Sequence, residues 1–461
     1  MPRQPEARQA ITAVPASEAA GGEMLRELVR RGLNEAEVLL KRGRSRRLVV
    51  ELGKEVSALT QERAWAVRAS SRRASFFAAG AGELPPPGAP WPEPTGRSFR
   101  LPDPEPVPPW SEPSDFEAPL IGDSEGLRLL EALAAELAAE LPGARLLHAA
   151  LEDGSSESEL ASSRGMRAGV RRRLATLRLE AAGPGRPGAG AALYLAAREA
   201  RRFLPKALAR RLADQLSVAA AGAPPRQGPA AGGPPGEGGE LVLAPPVGVA
   251  LLAALLPLLV GPGAQARVAP LRDRRGKIGS SHLTILDNGR LPGGALECPV
   301  DGEGMPCREA LLVEEGVFRQ PLLAWWQVDG AAPGAASGCA RRPSWRDLPN
   351  PGPTHLYVRP DPRLPVADLL AGVRRGHYLI DATGPIRSDP ATLQFALPVC
   401  GFAVEAGRAT APVAGAWLCG TAAALLKGLA AAARDLSFLP LDGLLGAPTL
   451  LVTGLELRGG R

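Results

Sequence analysis

A zinc hydrolase needs two histidines about one helical turn apart, so that both imidazoles face one metal. The four histidines of this sequence, His148, His282, His355 and His377, are isolated from one another. A serine nucleophile elbow would read G-x-S-x-G, and the nearest string, GAASG at Gly334 to Gly338, has the wrong spacing. Gly276-Lys277 lacks both the glycine frame and the following Ser or Thr of a phosphate loop. The string GPGRPG, Gly183 to Gly188, matches G-x-G-x-x-G literally. Its Pro184 and Pro187, however, delete N–H groups that would cradle a pyrophosphate, so it reads as a hairpin turn.

The five cysteines, Cys298, Cys307, Cys339, Cys400 and Cys419, form no C-x-x-C pair. An odd, loosely spaced set argues for reduced thiols and a cytoplasmic location. A reactive thiol needs an electropositive neighbour. Cys339, just before Ala340-Arg341-Arg342, is the best placed, with a buried inert thiol as the default. The most unusual polar spot is Asp301-Gly302-Glu303-Gly304. Two carboxylates one residue apart on a strand share a face and could share a proton or bind a cation. The flanking glycines equally suit a bulge or turn with solvated acids.

The elements that must position these residues are short and mixed. Helical leucine spacing marks EGLRLLEALAAELAAEL and KALARRLADQLSVAAA. Strand-like runs include AEVLLKRG, RRLVVELG, EVSALTQE, AWAVRASS, ARLLHAALED, SELASSRG and RRRLATLRLEA, joined by polar stretches read as turns. After Gly239 come a strand, an apolar helix and a β-rich remainder with two further helices, PVADLLAGVR and GTAAALLKGLAAAARDL. The fold class is α+β: helices packed on antiparallel sheets, then a β-rich C-terminal domain containing a buried apolar helix. The expected organisation is a disordered tail over 1–22, an N-terminal α+β domain over 23–82 and a Pro-rich linker over 83–119. A central α+β domain over 120–221, a Gly/Pro linker over 222–239 and the C-terminal domain over 240–461 follow.

The net charge is +6 and the positive charge is nearly all Arg. The arginines are spread along the chain among Glu and Asp, and the densest run, Arg164 to Arg178, reads as the solvated face of strands. That distribution argues against a nucleic-acid partner. From Leu241 to Ala266 no residue is charged. Pro245 and Pro246 split the stretch, Pro257 interrupts the helix, and no aromatic belt flanks it, so it reads as a buried core helix rather than a membrane span.

The segment KIGSSHLTILDNGRLPGGALECPVDGEGMPCREALLVEEGVF resembles the TldD/PmbA family of metalloprotease-related proteins. Its "DxEG" turn corresponds to Asp301 to Gly304, its "EEGV" strand end to Glu314 to Val317, and its Ser-Gly stretch to Ser337-Gly338. GFAVEAGRATAPVAGAWLCG, Gly401 to Gly420, is similar to the strand pair before the family's C-terminal helix. Ser163-Arg164-Gly165 stands where a Ser-x-Gly turn is usual.

The resemblance implies two kinds of member. The TldD type carries His-Glu-x-x-x-His on the apolar helix, with zinc-binding histidines, a water-activating Glu and a further C-terminal cysteine. The PmbA or TldE type lacks these and pairs with TldD in a heterodimeric protease acting on unfolded or leader peptides. Here the motif positions fall at Leu252, Ala253 and Pro257, and DGLLGAPTLLV has no cysteine. The resemblance therefore implies a non-catalytic TldE-like subunit with no metal or cofactor of its own, zinc being held by the TldD-like partner. Asp301, Glu303, Ser337 and Gly338 are the expected peptide or partner contacts. Two other classes of function stand beside it: a regulatory protein of the DNA gyrase modulator kind, and a self-sufficient peptidase with an unrecognised site.

Overall fold

The computed structural model describes residues 17–51, 53–109, 116, 118–184, 190–221, 237–328, 338–389 and 391–459. The first unit is a six-stranded antiparallel sheet in the order β3-β2-β1-β4-β5-β6. Its strands are β1 (Glu35–Glu51), β2 (Lys54–Ser70), β3 (Ser75–Ala81), β4 (Arg145–Ser162), β5 (Arg167–Ala182) and β6 (Gly190–Ala197). Its helices are α1 (Ser17–Arg30), α2 (Asp123–Glu140) and α3 (Pro205–Ala221).

Alternation along the strands decides which face each layer takes. Val38 and Leu48 of β1 point to the helices. There Val38 packs with Met24, Leu25 and Leu28 of α1, and Leu48 with Leu130, Leu133 and Leu137 of α2. The intervening residues point the other way, toward the C-terminal half, where Leu39 and Leu160 meet Met305 and Trp345.

Because β1 pairs with β4 over Glu37 to Glu51, the regions expected as separate domains at 23–82 and 120–221 share one sheet and form one unit. Three pairs of expected strands also merge: AEVLLKRG with RRLVVELG, EVSALTQE with AWAVRASS, and ARLLHAALED with SELASSRG become β1, β2 and β4. The polar stretches between them are not turns. Gly43, for example, stays in register with Glu62 on one side and Ser156 on the other.

Two further expectations change. The N-terminal tail is helical from Ser17, because burying Met24, Leu25 and Leu28 overrides the weak propensity of Gly21 and Gly22. Residues 1–16 lie outside the described residues. The Pro-rich stretch is a packed strap over its described part. Proline forbids a sheet there, but the apolar side chains still bury. Trp91 stacks on Phe76 at 5.7 Å and meets Trp65 edge-on at 5.8 Å. Gly96 bridges to Ser75, and Leu101 is fully buried. Of the Gly/Pro linker, 222–236 lie outside the described residues, and Glu237–Gly238 already pair with the strand Glu456–Gly459.

The C-terminal half holds two larger sheets. One has six strands, in the order Val317–Phe318, Glu309–Glu314, Ile285–Asn288, His355–Val358, Leu444–Ala447 and Ser437–Pro440. The other has nine and includes Glu240–Leu243, Arg375–Ala382, Gln394–Glu405 and Arg408–Thr421. Helix α4 (Pro245–Leu259) packs against strands of both, so the charge-free segment is a buried core helix. Pro257 does not end it, since the helix runs on to Leu259. Among the described residues no helix is long and apolar enough to cross a membrane.

The expected helix GTAAALLKGLAAAARDL shortens to Ala422–Gly428, and Leu429–Ala432 becomes a strand paired with Leu450–Val452. Alanine suits either state, and a close approach decides: a Cβ on Gly428 would stand 1.9 Å from the Thr453 carbonyl oxygen.

Candidate functional site

The face of the N-terminal sheet that the helices leave bare forms one wall of a cleft of about 1360 Å³. Register lays its residues side by side. Gly43 and Ser45 of β1 lie beside Glu62 and Thr60 of β2, and beside Ser156 and Gly154 of β4. On β5, Arg172 stands next to Ser156. Glycines and serines keep this wall low and leave polar groups facing inward. The opposite wall comes from the C-terminal half, from 295–302, 340–345 and Thr354.

At the base of the cleft, Cys298 and Cys307 bring their Sγ atoms to 3.5 Å. Both thiols are 2% exposed. They flank a turn closed by the Val300–Pro306 bridge and by the Cys307 N–H, which donates to the Pro299 carbonyl at 2.9 Å. Arg172 and Arg341 converge on this pair from the two halves of the chain. The hydrogen bond from Cys307 and the two guanidiniums pull the Cys298 thiol down, to about 6, against the effect of burial. The same bond, with burial, pushes Cys307 well up. Cys339, the thiol that sequence reasoning favoured, is 1% exposed, and burial raises it well above its ordinary value.

Sequence reasoning missed Arg172 because it read the arginine run as solvated. Strand alternation separates the three consecutive arginines. Arg172 faces the cleft, while Arg173 is buried on the opposite face against Asp153.

Asp301 and Glu303 are not two carboxylates on one strand face. Asp301 organises the turn: its Oδ1 accepts from the Glu303 and Met305 N–H groups at 2.8 and 3.0 Å, and its Oδ2 from Ala340 at 3.0 Å. Glu303 turns away toward the N-terminal sheet, accepting from the Trp325 N–H at 2.7 Å with its Oε1 4.0 Å from Arg68. They are 9% and 1% exposed, so the solvated turn that the glycines suggested is instead a buried one. Gly338 packs beside the same turn with φ +61°, where a Cβ would stand 2.2 Å from the Pro306 carbonyl oxygen. Ser337 lies outside the described residues.

The zinc positions implied by the resemblance lie on α4. Leu252 is 2% exposed, Ala253 half-buried and Pro257 exposed. None has a donor atom, so this helix does not fit a zinc ion. Its Gly248 meets Ala447, which lies within the segment DGLLGAPTLLV that lacks the C-terminal cysteine. Among the described residues, no three His, Cys, Asp or Glu side chains gather as a metal site.

His355, fully buried behind the cleft, has Nδ1 3.0 Å from the Asn288 carbonyl oxygen, and its Nε2 accepts from Leu296 N–H. That fixes a neutral ring with the proton on Nδ1. Burial, aided by Arg341 and Arg172, pushes its pKa down to about 4. A folded pKa below the unfolded value of about 6.5 gives stability that is full above 6.5 and lost as pH falls toward 4. Asp287 nearby, raised to about 7 chiefly by burial, shifts the opposite way. The comparison with His355→Gln therefore isolates the ring. Between about pH 7 and pH 4 the wild type should lose on the order of 1–3 kcal/mol more than the variant in urea unfolding. Parallel pH profiles would show that the ring is not held neutral.

Residues 236–459 match the family described as the PmbA/TldA metallopeptidase C-terminal domain. The chain is similar in structure to TldE from Thermococcus kodakarensis, at 19% identity and a TM-score of 0.77, over 95% of this chain and 100% of that one. It is also similar to a protein of Thermotoga maritima described as a candidate modulator of a DNA gyrase, at 16% identity and a TM-score of 0.78, over 96% and 100% of the two chains. A third, from Bacteroides thetaiotaomicron and described in the same terms, matches at 16% identity and a TM-score of 0.74, over 97% and 99%. At such identities the likeness to these structures establishes the fold.

Proposed function

Through its C-terminal domain the chain belongs to the TldD/PmbA family, and we propose that within it the protein is a non-catalytic, TldE-like subunit. It would pair with a TldD-like subunit that holds zinc and cleaves unfolded or leader peptides in the cytoplasm. The observation that carries this reading is the chemistry of α4. Where a catalytic member would place its histidines and glutamate, this chain has Leu252, Ala253 and Pro257. Without ligands no bound water is acidified, so hydrolysis by this mechanism requires a second chain. The size of the cleft supports a peptide: 1360 Å³ exceeds the roughly 300–1,000 Å³ of small-molecule pockets.

Co-expression with a TldD-like chain carrying His-Glu-x-x-x-His tests the reading. Native mass spectrometry should show a complex of the two chains, zinc should travel with the partner, and the pair should cleave peptides faster than either chain alone. Purified alone, this chain should carry no stoichiometric zinc. If the two stay separate and cleavage is unchanged by this chain, the partner role is wrong.

A further inference from the structure

Neither the zinc chemistry of the family nor the partner reading uses the thiol pair at the base of the cleft. Several independent features meet there. The two sulfurs are already in contact at 3.5 Å. Their backbones are held on either side of a closed turn, so a bond between them needs no rearrangement of the sheet. Gly289 packs against Cys307, where a Cβ would come within 2.9 Å of the Cys307 Cβ, which fixes that side chain from behind. Arg172 and Arg341 supply positive charge from two different elements, and the Nε of Arg172 has no hydrogen-bond partner. Finally, the pair lines the base of the cleft, 2% exposed, so the cleft is the side from which a small oxidant would approach it. Cys339, Cys400 and Cys419 do not line that cleft.

We propose that Cys298 and Cys307 form a redox-active dithiol that hydrogen peroxide converts to an intramolecular disulfide. The Cys298 thiolate attacks the peroxide oxygen, the O–O bond breaks, and one proton is taken up. The products are a sulfenic acid on Cys298 and water. Cys307 then attacks that sulfur. The S–O bond breaks, the oxygen leaves with the Cys307 proton as a second water, and the S–S bond forms. Across the two steps the sulfur pair loses two electrons and the peroxide gains them. Arg172 and Arg341 stabilise the attacking thiolate, and the lowered Cys298 beside a raised Cys307 matches a nucleophile and its resolving thiol. Closure would also remove the thiolate facing the two guanidiniums and pin the base of the turn that carries Asp301 and Glu303.

The full chain tests this directly, because the tryptic peptide Leu291 to Arg308 contains both cysteines and no internal cleavage site. Wild-type protein is treated with dilute hydrogen peroxide, free thiols are blocked with iodoacetamide, and the digest is weighed. The expected result is an unalkylated Leu291–Arg308 peptide about 2 Da lighter than its dithiol form, from loss of two hydrogens. It should appear at least about tenfold faster than any oxidation of Cys339, Cys400 or Cys419. In Cys307→Ser, dimedone should instead capture a sulfenic acid on Cys298. The proposal is overturned if the peptide stays reduced while other cysteines oxidise, if its cysteines pass only to sulfinic acids, or if dimedone labels no Cys298. The test does not depend on a partner subunit, so it stands or falls separately from the proposed function.

Discussion

Replacing Arg173 by methionine should destabilise the chain by about 3–5 kcal/mol, a cost typical of breaking a buried ion pair from one side. The Arg173 and Asp153 side chains are 0% and 1% exposed. Two charge-assisted bonds join them, Nη2 to Oδ2 at 2.8 Å and Nε to Oδ1 at 3.2 Å. The same guanidinium donates to the carbonyls of Ala118 and Pro119, and Asp153 accepts from the Ile121 N–H at 2.7 Å. This cluster fastens the end of the proline-rich strap where it turns into α2. Methionine would leave a buried carboxylate without its cation and two carbonyls without donors. Arg171→Met is the matched control: Arg171 pairs with Glu157 at side-chain exposures of 31% and 25%. There the loss should stay below about 1 kcal/mol. Urea unfolding measures both, and limited proteolysis within 83–119 should accelerate in Arg173→Met alone. A cost under about 1 kcal/mol for Arg173→Met, or an unchanged strap, would mean that the pair does not hold this segment.

That pair also shows what was legible in the sequence and what was not. The α+β class, the leucine-striped helices and the buried α4 follow from periodicity and from a charge-free run, which are local signals. The long strands β1 and β4 read as two pieces each because Arg44-Ser45 and Gly154 to Glu157 have the composition of turns. They are polar because they line a cleft, and composition cannot tell an open cleft from open solvent. Arg171, Arg172 and Arg173 meet an ion pair, a thiol pair and a buried carboxylate respectively, a division that appears only once the strand's two faces are known.

The site was legible where its residues are neighbours in sequence. Asp301 to Gly304 stands out in the sequence as an unusual polar spot, and a turn is present there, with φ +82° at Gly304. The burial of its acids was not legible, because the residues that cover them, such as Arg68 and Arg342, come from distant parts of the chain. The same holds for Cys298. Its thiol is pulled down by Cys307, Arg172 and Arg341, and only the first is nearby in sequence.

The second large effect is expected at the junction of the two halves. Arg68 of β2 binds Glu37 of β1 through two bonds of 2.9 Å. Glu37 also pairs with Arg342 of the C-terminal half, and Arg342 Nε donates to the Gly302 carbonyl at 2.8 Å. Glu303 reaches in from that half, and the Arg68 guanidinium lies 5.2 Å from the Phe99 ring of the strap. Burial pushes Glu37 up, but Arg342 and Arg68 outweigh it and hold the carboxyl below its usual range. Its contribution is therefore present above the unfolded pKa and lost as pH falls through the lower folded value. Glu303 behaves oppositely. Burial raises it to about 7 against the pull of Arg68, so its contribution is present at acid pH and lost as pH rises through about 7.

Arg68→Met removes the cation shared by both acids. At pH 8, where both would ionise, the cost should be about 3–5 kcal/mol. At pH 5 it should be smaller, because Glu303 is already protonated and Glu37 keeps Arg342. The double variant Arg68→Met/Glu37→Leu should recover part of the loss, since an apolar pair leaves fewer stranded charges. Urea unfolding at the two pH values reads all three proteins. A penalty that is equal at pH 5 and pH 8 would mean that Arg68 acts by packing on Phe99 and not by charge. It would also mean that the alignment of the two cleft walls does not depend on this network.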